Sequence, residues 1–208
     1  AYLGIWVISP KRLFTNNWKD ELWLVAGGIF GGSLYFFTEN TALGITQASN
    51  VSFIICTAPL LTTILSLLFY KSEKASKGLI YGSLLALMGV GLIVFNGSFV
   101  LKISPIGDLL TLLAALSWAF YSLIIKKMAG RYPTVFITRK IFFYGVLTIL
   151  PAFLLHPLHP DTVVLLQPAV LFNLLFLAVL ASLICYVLWN VVLKQLGTVR
   201  ASNYIYLN

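Results

Sequence analysis

Six apolar stretches divide this chain, at about 22–43, 51–70, 78–95, 109–125, 141–155 and 169–193, with short polar gaps between them. Five of the six contain no Asp, Glu, Lys or Arg. At 1.5 Å rise per residue, about 20 helical residues cross a hydrocarbon core of about 30 Å, so 51–70 and 78–95 fit with little spare length. The stretch 141–155 is short and borrows Thr138 to Lys140 at its edge. The pattern predicts six transmembrane helices.

Charge adds an orientation. Lys11, Arg12, Lys19, Lys71, Lys74, Lys77, Lys126, Lys127, Arg131, Arg139, Lys140, Lys194 and Arg200 all fall in or beside alternate gaps, and the other gaps hold only Lys102. Thirteen basic residues against one mark the first set as cytoplasmic, because basic loops resist translocation during insertion. Composition agrees: 60% hydrophobic residues, 10% charged and a mean hydropathy of +0.95 exclude an ordinary soluble domain. The net charge of +8 does not indicate nucleic acid, since it sits in short loops beside membrane spans.

Cys56 and Cys185 lie alone inside spans and read as small packing residues rather than a disulfide or metal site. Residues 1–8 are apolar but reach only about 12 Å as a helix before Pro10, Lys11 and Arg12. They read as the cytoplasmic end of a helix whose beginning is missing, and 201–208 as the start of another. The expectation is a chain truncated at both ends.

Internal repetition follows. Asn40-Thr-Ala-Leu recurs as Asn190-Val-Val-Leu, and each is followed by Ala-Ser-Asn, at 48–50 and 201–203. The turn 44–50 carries no base, whereas its counterpart carries Lys194 and Arg200. The two copies are therefore expected to sit upside down relative to one another, five helices apart, as in inverted-repeat transporters.

Glu39-Asn-Thr-Ala-Leu, Ala48-Ser-Asn, Pro59-Leu-Leu-Thr, Gly107-Asp-Leu-Leu and Ala115-Leu-Ser-Trp-Ala-Phe-Tyr-Ser together resemble the EamA-type branch of the drug/metabolite transporter superfamily. The resemblance implies an all-α polytopic membrane protein, a ten-helix bundle of two inverted five-helix repeats. Here that bundle would be reduced to about six complete helices and two partial ones. The repeats would cover 1–97 and 105–208. It further implies cytoplasmic termini and export or exchange of small metabolites, in the cytoplasmic or inner membrane.

Several residues carry candidate chemistry. Glu39 is the only acid well inside a span, about 6 Å below its external end. It would take a proton in a coupling step or pair with a substrate amine; the alternative is a protonated or hydrogen-bonded structural role. Asp108 reads as a helix cap. Gly27, Gly28, Gly31 and Gly32, and on another span Gly82, Ala86 and Gly89, read as close-packing faces.

Pro59 interrupts its span, and Ser52, Cys56, Pro59, Thr63 and Ser66 share one stripe, which lines either a substrate path or a packing face. Trp118, Tyr121 and Ser122 share another face, with Trp118 near mid-span, suited to recognising a small organic solute or to gripping a neighbouring helix. Tyr186 and Asn190, placed like Phe36 and Asn40 in the first copy, complete the expected site with Asn40 itself. His156, His159 and Asp161 lie among prolines in an external loop and are not expected to bind metal.

No cofactor is expected, and no Walker A loop is present, so transport would be gradient-driven. Small-molecule metabolites and the lipid bilayer are the expected partners; the oligomeric state is open. An intramembrane enzyme or a membrane scaffold is the competing class, but no span pairs a nucleophile with a base.

Overall fold

The computed structural model describes residues 15, 17–70, 77–95, 104–155 and 162–207. Each of the six apolar stretches falls on helix. Asn17 opens α1 (18–45), its side chain accepting the Lys19 amide at 3.1 Å, with Asp20 and Glu21 in the first turn to complement the free N–H groups. Helix α2 (Ala48–Phe69) pauses at Cys56 and Thr57 and resumes at Ala58, with Pro59 in the new first turn. There the missing proline N–H leaves nothing unpaired.

Helix α3 (Lys77–Phe95) follows, then α4 (Pro105–Ala129), which starts on Pro105 and ends with Lys126 and Lys127 in its last turn. Asp108 Oδ2 accepts the Ser104 amide at 3.2 Å, the capping contact expected of it. Helix α5 (Thr134–Leu155) contains Pro151, and α6 (Thr162–Leu165) is a single turn. Helix α7 (Pro168–Leu196) stops at Gly197, whose φ of 80° turns the chain into α8 (Thr198–Ser202) and a 3-10 turn, Asn203–Leu207.

Among the described residues, four helices are long and apolar enough to cross a membrane: Ala48–Phe69, Pro105–Ala129, Thr134–Ala152 and Pro168–Leu196. Helix α1 is not among them, because Asp20, Glu21, Glu39 and its glycines lower its hydropathy. In α3 the qualifying apolar part is shorter, Ile80–Gly89.

Helix α4 lies at the centre, against α1, α2 and α7. Its Tyr121, Ile125 and Met128 meet Leu24, Ile137, Ile141 and Leu193 in one core. Helices α1 and α5 cross with almost no side chain between them. A Cβ on Gly28 would stand 2.5 Å from Tyr144 Cβ, and one on Gly32 would stand 3.0 Å from the Gly145 Cα. The glycine face of α1 is a packing seam.

The glycine face expected on α3 behaves differently. Gly82 and Gly89 have nothing within 4 Å of an added Cβ. Helix α3 instead packs through Ser83, which donates to Asn203 Oδ1 at 2.8 Å, and through Gly91, where an added Cβ would stand 3.0 Å from the Phe53 ring. Polar pairing with the 203–207 turn therefore sets which side of α3 faces inward. Lys71, Lys74, Lys102, His156, His159, Asp161 and the apolar stretch 1–8 lie outside the described residues.

A cavity ringed by aromatic residues

Two helices widen into π turns just ahead of the repeated asparagines: Ile29–Ser33 in α1 and Phe176–Ile184 in α7. A π turn displaces backbone carbonyls from their usual partners. In α1 those carbonyls bind other helices. Phe30 O accepts from Ser117 Oγ of α4 at 2.9 Å, and Gly31 O accepts from the Tyr186 hydroxyl of α7 at 2.7 Å. Gly31 is also where Tyr121 lies flat against the backbone, since a Cβ there would sit 2.2 Å from the ring.

These contacts gather aromatic rings around a cavity of about 290 Å³, walled by Tyr35, Trp118, Tyr186 and Trp189, with Cys185 and Tyr204 at its edge. Trp118 is the hub. Its ring centroid lies 5.0 Å from Tyr35, 5.1 Å from Tyr121, 5.8 Å from Trp189 and 5.9 Å from Tyr186, the last edge-on. Tilted and edge-on pairs are the favourable aromatic arrangements, so the ring is a stable wall. The indole N–H groups of Trp118 and Trp189 are buried without a partner.

Polar handles approach from two sides. The Tyr35 hydroxyl donates to Glu39 Oε1 at 2.9 Å, which connects this carboxylate to the cavity wall. On the other side Tyr121 donates to Asn190 Oδ1 at 2.7 Å, and Asn190 Nδ2 donates to Thr138 Oγ1 at 2.7 Å. Asn190 is fully buried, and with both amide groups used it locks α4, α5 and α7 together.

Of the residues singled out from sequence, Trp118, Tyr121, Tyr186 and Asn190 come together here, with Glu39 joined through Tyr35. Asn40 does not: it is exposed, and its Nδ2 donates to Phe36 O of its own helix at 2.7 Å. Ser52 is exposed as well. Pro59 and Thr63 are buried away from the cavity wall, and the Thr63 hydroxyl donates to the Pro59 carbonyl at 2.8 Å. Further along that stripe, Ser66 lies 3.4 Å from the Thr198 hydroxyl of α8, so its inner end packs helices together. Helix α2 lines the cavity through Ile55 and Ala58 instead.

Sequence reasoning missed Tyr35 and Trp189. Both were within reach, because Tyr35 precedes Glu39 by one helical turn and Trp189 follows Tyr186 by three residues. Cys185, expected only to pack, lines the cavity.

A second polar cluster joins the start of α1 to α5. Lys140 and Glu21 form an ion pair with the carboxylate also accepting from Tyr144, and both are nearly buried. Glu21 Oε2 accepts from the Thr15 amide at 3.0 Å and its hydroxyl at 2.6 Å. Burial alone would raise this carboxyl, but the hydrogen bonds from Lys140, Thr15 and Tyr144 outweigh it and hold the group at about 2. Beside it, Arg131 pairs with Asp20 at 2.6 Å, and Tyr132 donates to the same carboxylate at 3.0 Å. Among the described residues, no group of His, Cys, Asp and Glu is placed to hold a metal ion.

The chain resembles known transporters over its length. It is 28% identical over 208 residues to an uncharacterized transporter of Archaeoglobus fulgidus, covering 99% of this chain and 70% of that protein. It is 26% identical to a probable amino-acid metabolite efflux pump of Salmonella typhimurium, covering 94% of this chain and 68% of that one. A solved crystal structure, described only as that of a protein, shares its fold with a TM-score of 0.74 at 19% identity, over 99% of this chain and 71% of the other. The profile of the EamA-like transporter family matches residues 1–95 and again 105–208. With both matches taken together, this polytopic helical membrane protein belongs to the EamA-like transporter family.

Proposed function

We propose that this chain forms the core of a secondary transporter of the cytoplasmic or inner membrane, which exports or exchanges a small organic metabolite by alternating access. The observation that carries the reading is the aromatic cavity, because its walls come from both halves of the chain: Tyr35 from the first, and Trp118, Tyr186 and Trp189 from the second. A site shared by two halves opens to one side or the other when the halves rock. The paired π turns, each just ahead of a repeated asparagine, support the division into copies at 1–97 and 105–208. The alternation of basic loops supports their inversion.

The cavity volume, near the lower bound of ordinary ligand pockets, fits a solute of a few heavy atoms beyond an amino acid's size at most. Trp118 and Tyr186 would contact the solute. Glu39, oriented by Tyr35, would take up a proton or face an amine. Tyr121 and Asn190 position the wall behind. Ser52, Pro59 and Thr63 would shape the α2 side of the solute path, and Asn40 would mark its external rim.

The test is uptake of a metabolite panel into inverted vesicles carrying the full-length protein. For any substrate found, Trp118→Ala should raise the apparent KM about tenfold, a loss of ~1.4 kcal/mol. Trp118→Phe should keep most of the affinity. Unchanged KM in Trp118→Ala would remove this cavity as the solute site.

A further inference from the structure

The walls of the solute cavity favour one sign of charge. Trp118 forms the back, and the rings of Tyr35, Trp189 and Tyr186 are inclined to that indole by 49°, 43° and 83°, so they frame a hollow instead of stacking on it. Aromatic faces carry negative charge density and attract cations, most strongly where water is excluded. Two of the tyrosines are tuned the same way. Tyr35 gives its hydroxyl hydrogen to Glu39 at 2.9 Å, and Tyr186 gives its own to the Gly31 carbonyl at 2.7 Å. A phenol that donates is polarised by its acceptor, which makes its ring more electron-rich. Among the described residues, no lysine, arginine or histidine lines the cavity, so no resident cation opposes an incoming one. Glu39, one hydrogen bond behind Tyr35, supplies a countercharge.

The same wall discriminates among cations. A primary ammonium carries three N–H groups, and each needs an acceptor once it leaves water. The lining side chains offer few. The indole N–H groups of Trp118 and Trp189 are donors, themselves buried without a partner, and Ile55, Ala58 and Ala115 contribute only hydrocarbon. A quaternary ammonium has no N–H to leave unsatisfied. Its charge is spread over alkyl groups that pack directly on ring faces, which is how aromatic cages hold such ions.

We propose, on the reading of this cavity as the solute site, that its solute is a small quaternary ammonium ion. Its alkyl groups lie against Trp118, Tyr35, Tyr186 and Trp189, and Glu39 balances its charge through Tyr35. Because Tyr35 comes from the first half of the chain and the other three rings from the second, the cage is complete only while the halves are closed on the ion.

The full-length protein in detergent is titrated by calorimetry with three probes at matched ionic strength: choline, its neutral isostere with carbon in place of the nitrogen, and ethanolamine. Choline should bind roughly tenfold more tightly than either of the others. Replacing Trp118 by tryptophans with successively more ring fluorines withdraws charge from the face with little change of shape. Choline should weaken step by step along that series, while any binding of the isostere stays unmoved. Glu39→Gln should likewise weaken choline alone. Choline binding that is absent, no tighter than that of the isostere or ethanolamine, or insensitive to fluorination would overturn the proposal. The uptake panel separates this failure from that of the site itself. Transport of a neutral or anionic solute with its KM raised by Trp118→Ala would keep the cavity as solute site and remove the quaternary ammonium, whereas a KM indifferent to Trp118→Ala would remove both.

Discussion

Replacing Lys140 with Met tests whether the Lys140–Glu21 ion pair holds α1 to α5. Lys140 and Glu21 side chains are only 6% and 9% exposed, so removing the ammonium strands a carboxylate that water cannot easily reach. Breaking a buried pair from one side typically costs about 3–5 kcal/mol. Here Thr15 and Tyr144 still donate to Glu21, which places Lys140→Met near the lower bound, about 3 kcal/mol. Glu21→Gln keeps the shape and should lose less. The double variant has no stranded charge, so its loss should fall short of the sum by about 2 kcal/mol.

Reversible unfolding in mild detergent, followed across all four proteins, measures that coupling. Acid gives a second readout. The folded Glu21 carboxyl lies at about 2, below its ordinary 4.5. Its contribution is therefore complete above about 4.5 and fades as pH falls towards 2. Lys140→Met should flatten that window. Additive losses, with an acid profile unchanged, would refute the idea that this pair fastens the two helices.

Three other outcomes follow from the geometry. Gly31→Ala places a methyl on the Tyr121 ring and should destabilise by about 1–3 kcal/mol, read by the same unfolding assay, whereas Gly82→Ala, with open space around it, should be near neutral. Glu39→Gln should leave abundance normal and weaken proton-linked or cation-selective transport in vesicles; unchanged transport with unchanged pH dependence would make Glu39 structural. Exposed single cysteines at Gly130 and Leu166 should react with impermeant thiol reagents from opposite sides of the membrane, Gly130 only from the cytoplasm. External labelling of Gly130→Cys in intact cells would reverse the orientation.

The helices were legible because an apolar run of bilayer length has few other uses. The site was half legible. Trp118, Tyr186 and Asn190 announced themselves as polar or aromatic groups at membrane depth, where such groups are costly without a purpose. The stripe from Ser52 to Ser66 stayed open between a path and a packing face, because small polar residues on a helix satisfy either a water-filled path or a close neighbour, and periodicity cannot say which helix arrives. Lys140 shows the limit most sharply. Counted by position it is one more basic residue at a cytoplasmic boundary, but it turns inward to Glu21, and nothing local in the sequence records a partner 119 residues away.

The π turn in α1 also sets the phase of everything beyond it. Below the turn, Gly28 is keyed to the backbone of α5; above it, Tyr35 and Glu39 address the cavity. Rewinding Ile29–Ser33 as regular α-helix with every residue kept would rotate the outer half of the helix by about 100°. The seam with α5 would survive, while Tyr35 and Glu39 would swing off the cavity wall. The π turn works like the offset between two halves of a key, taking up one residue so that each half keeps the face its neighbour needs.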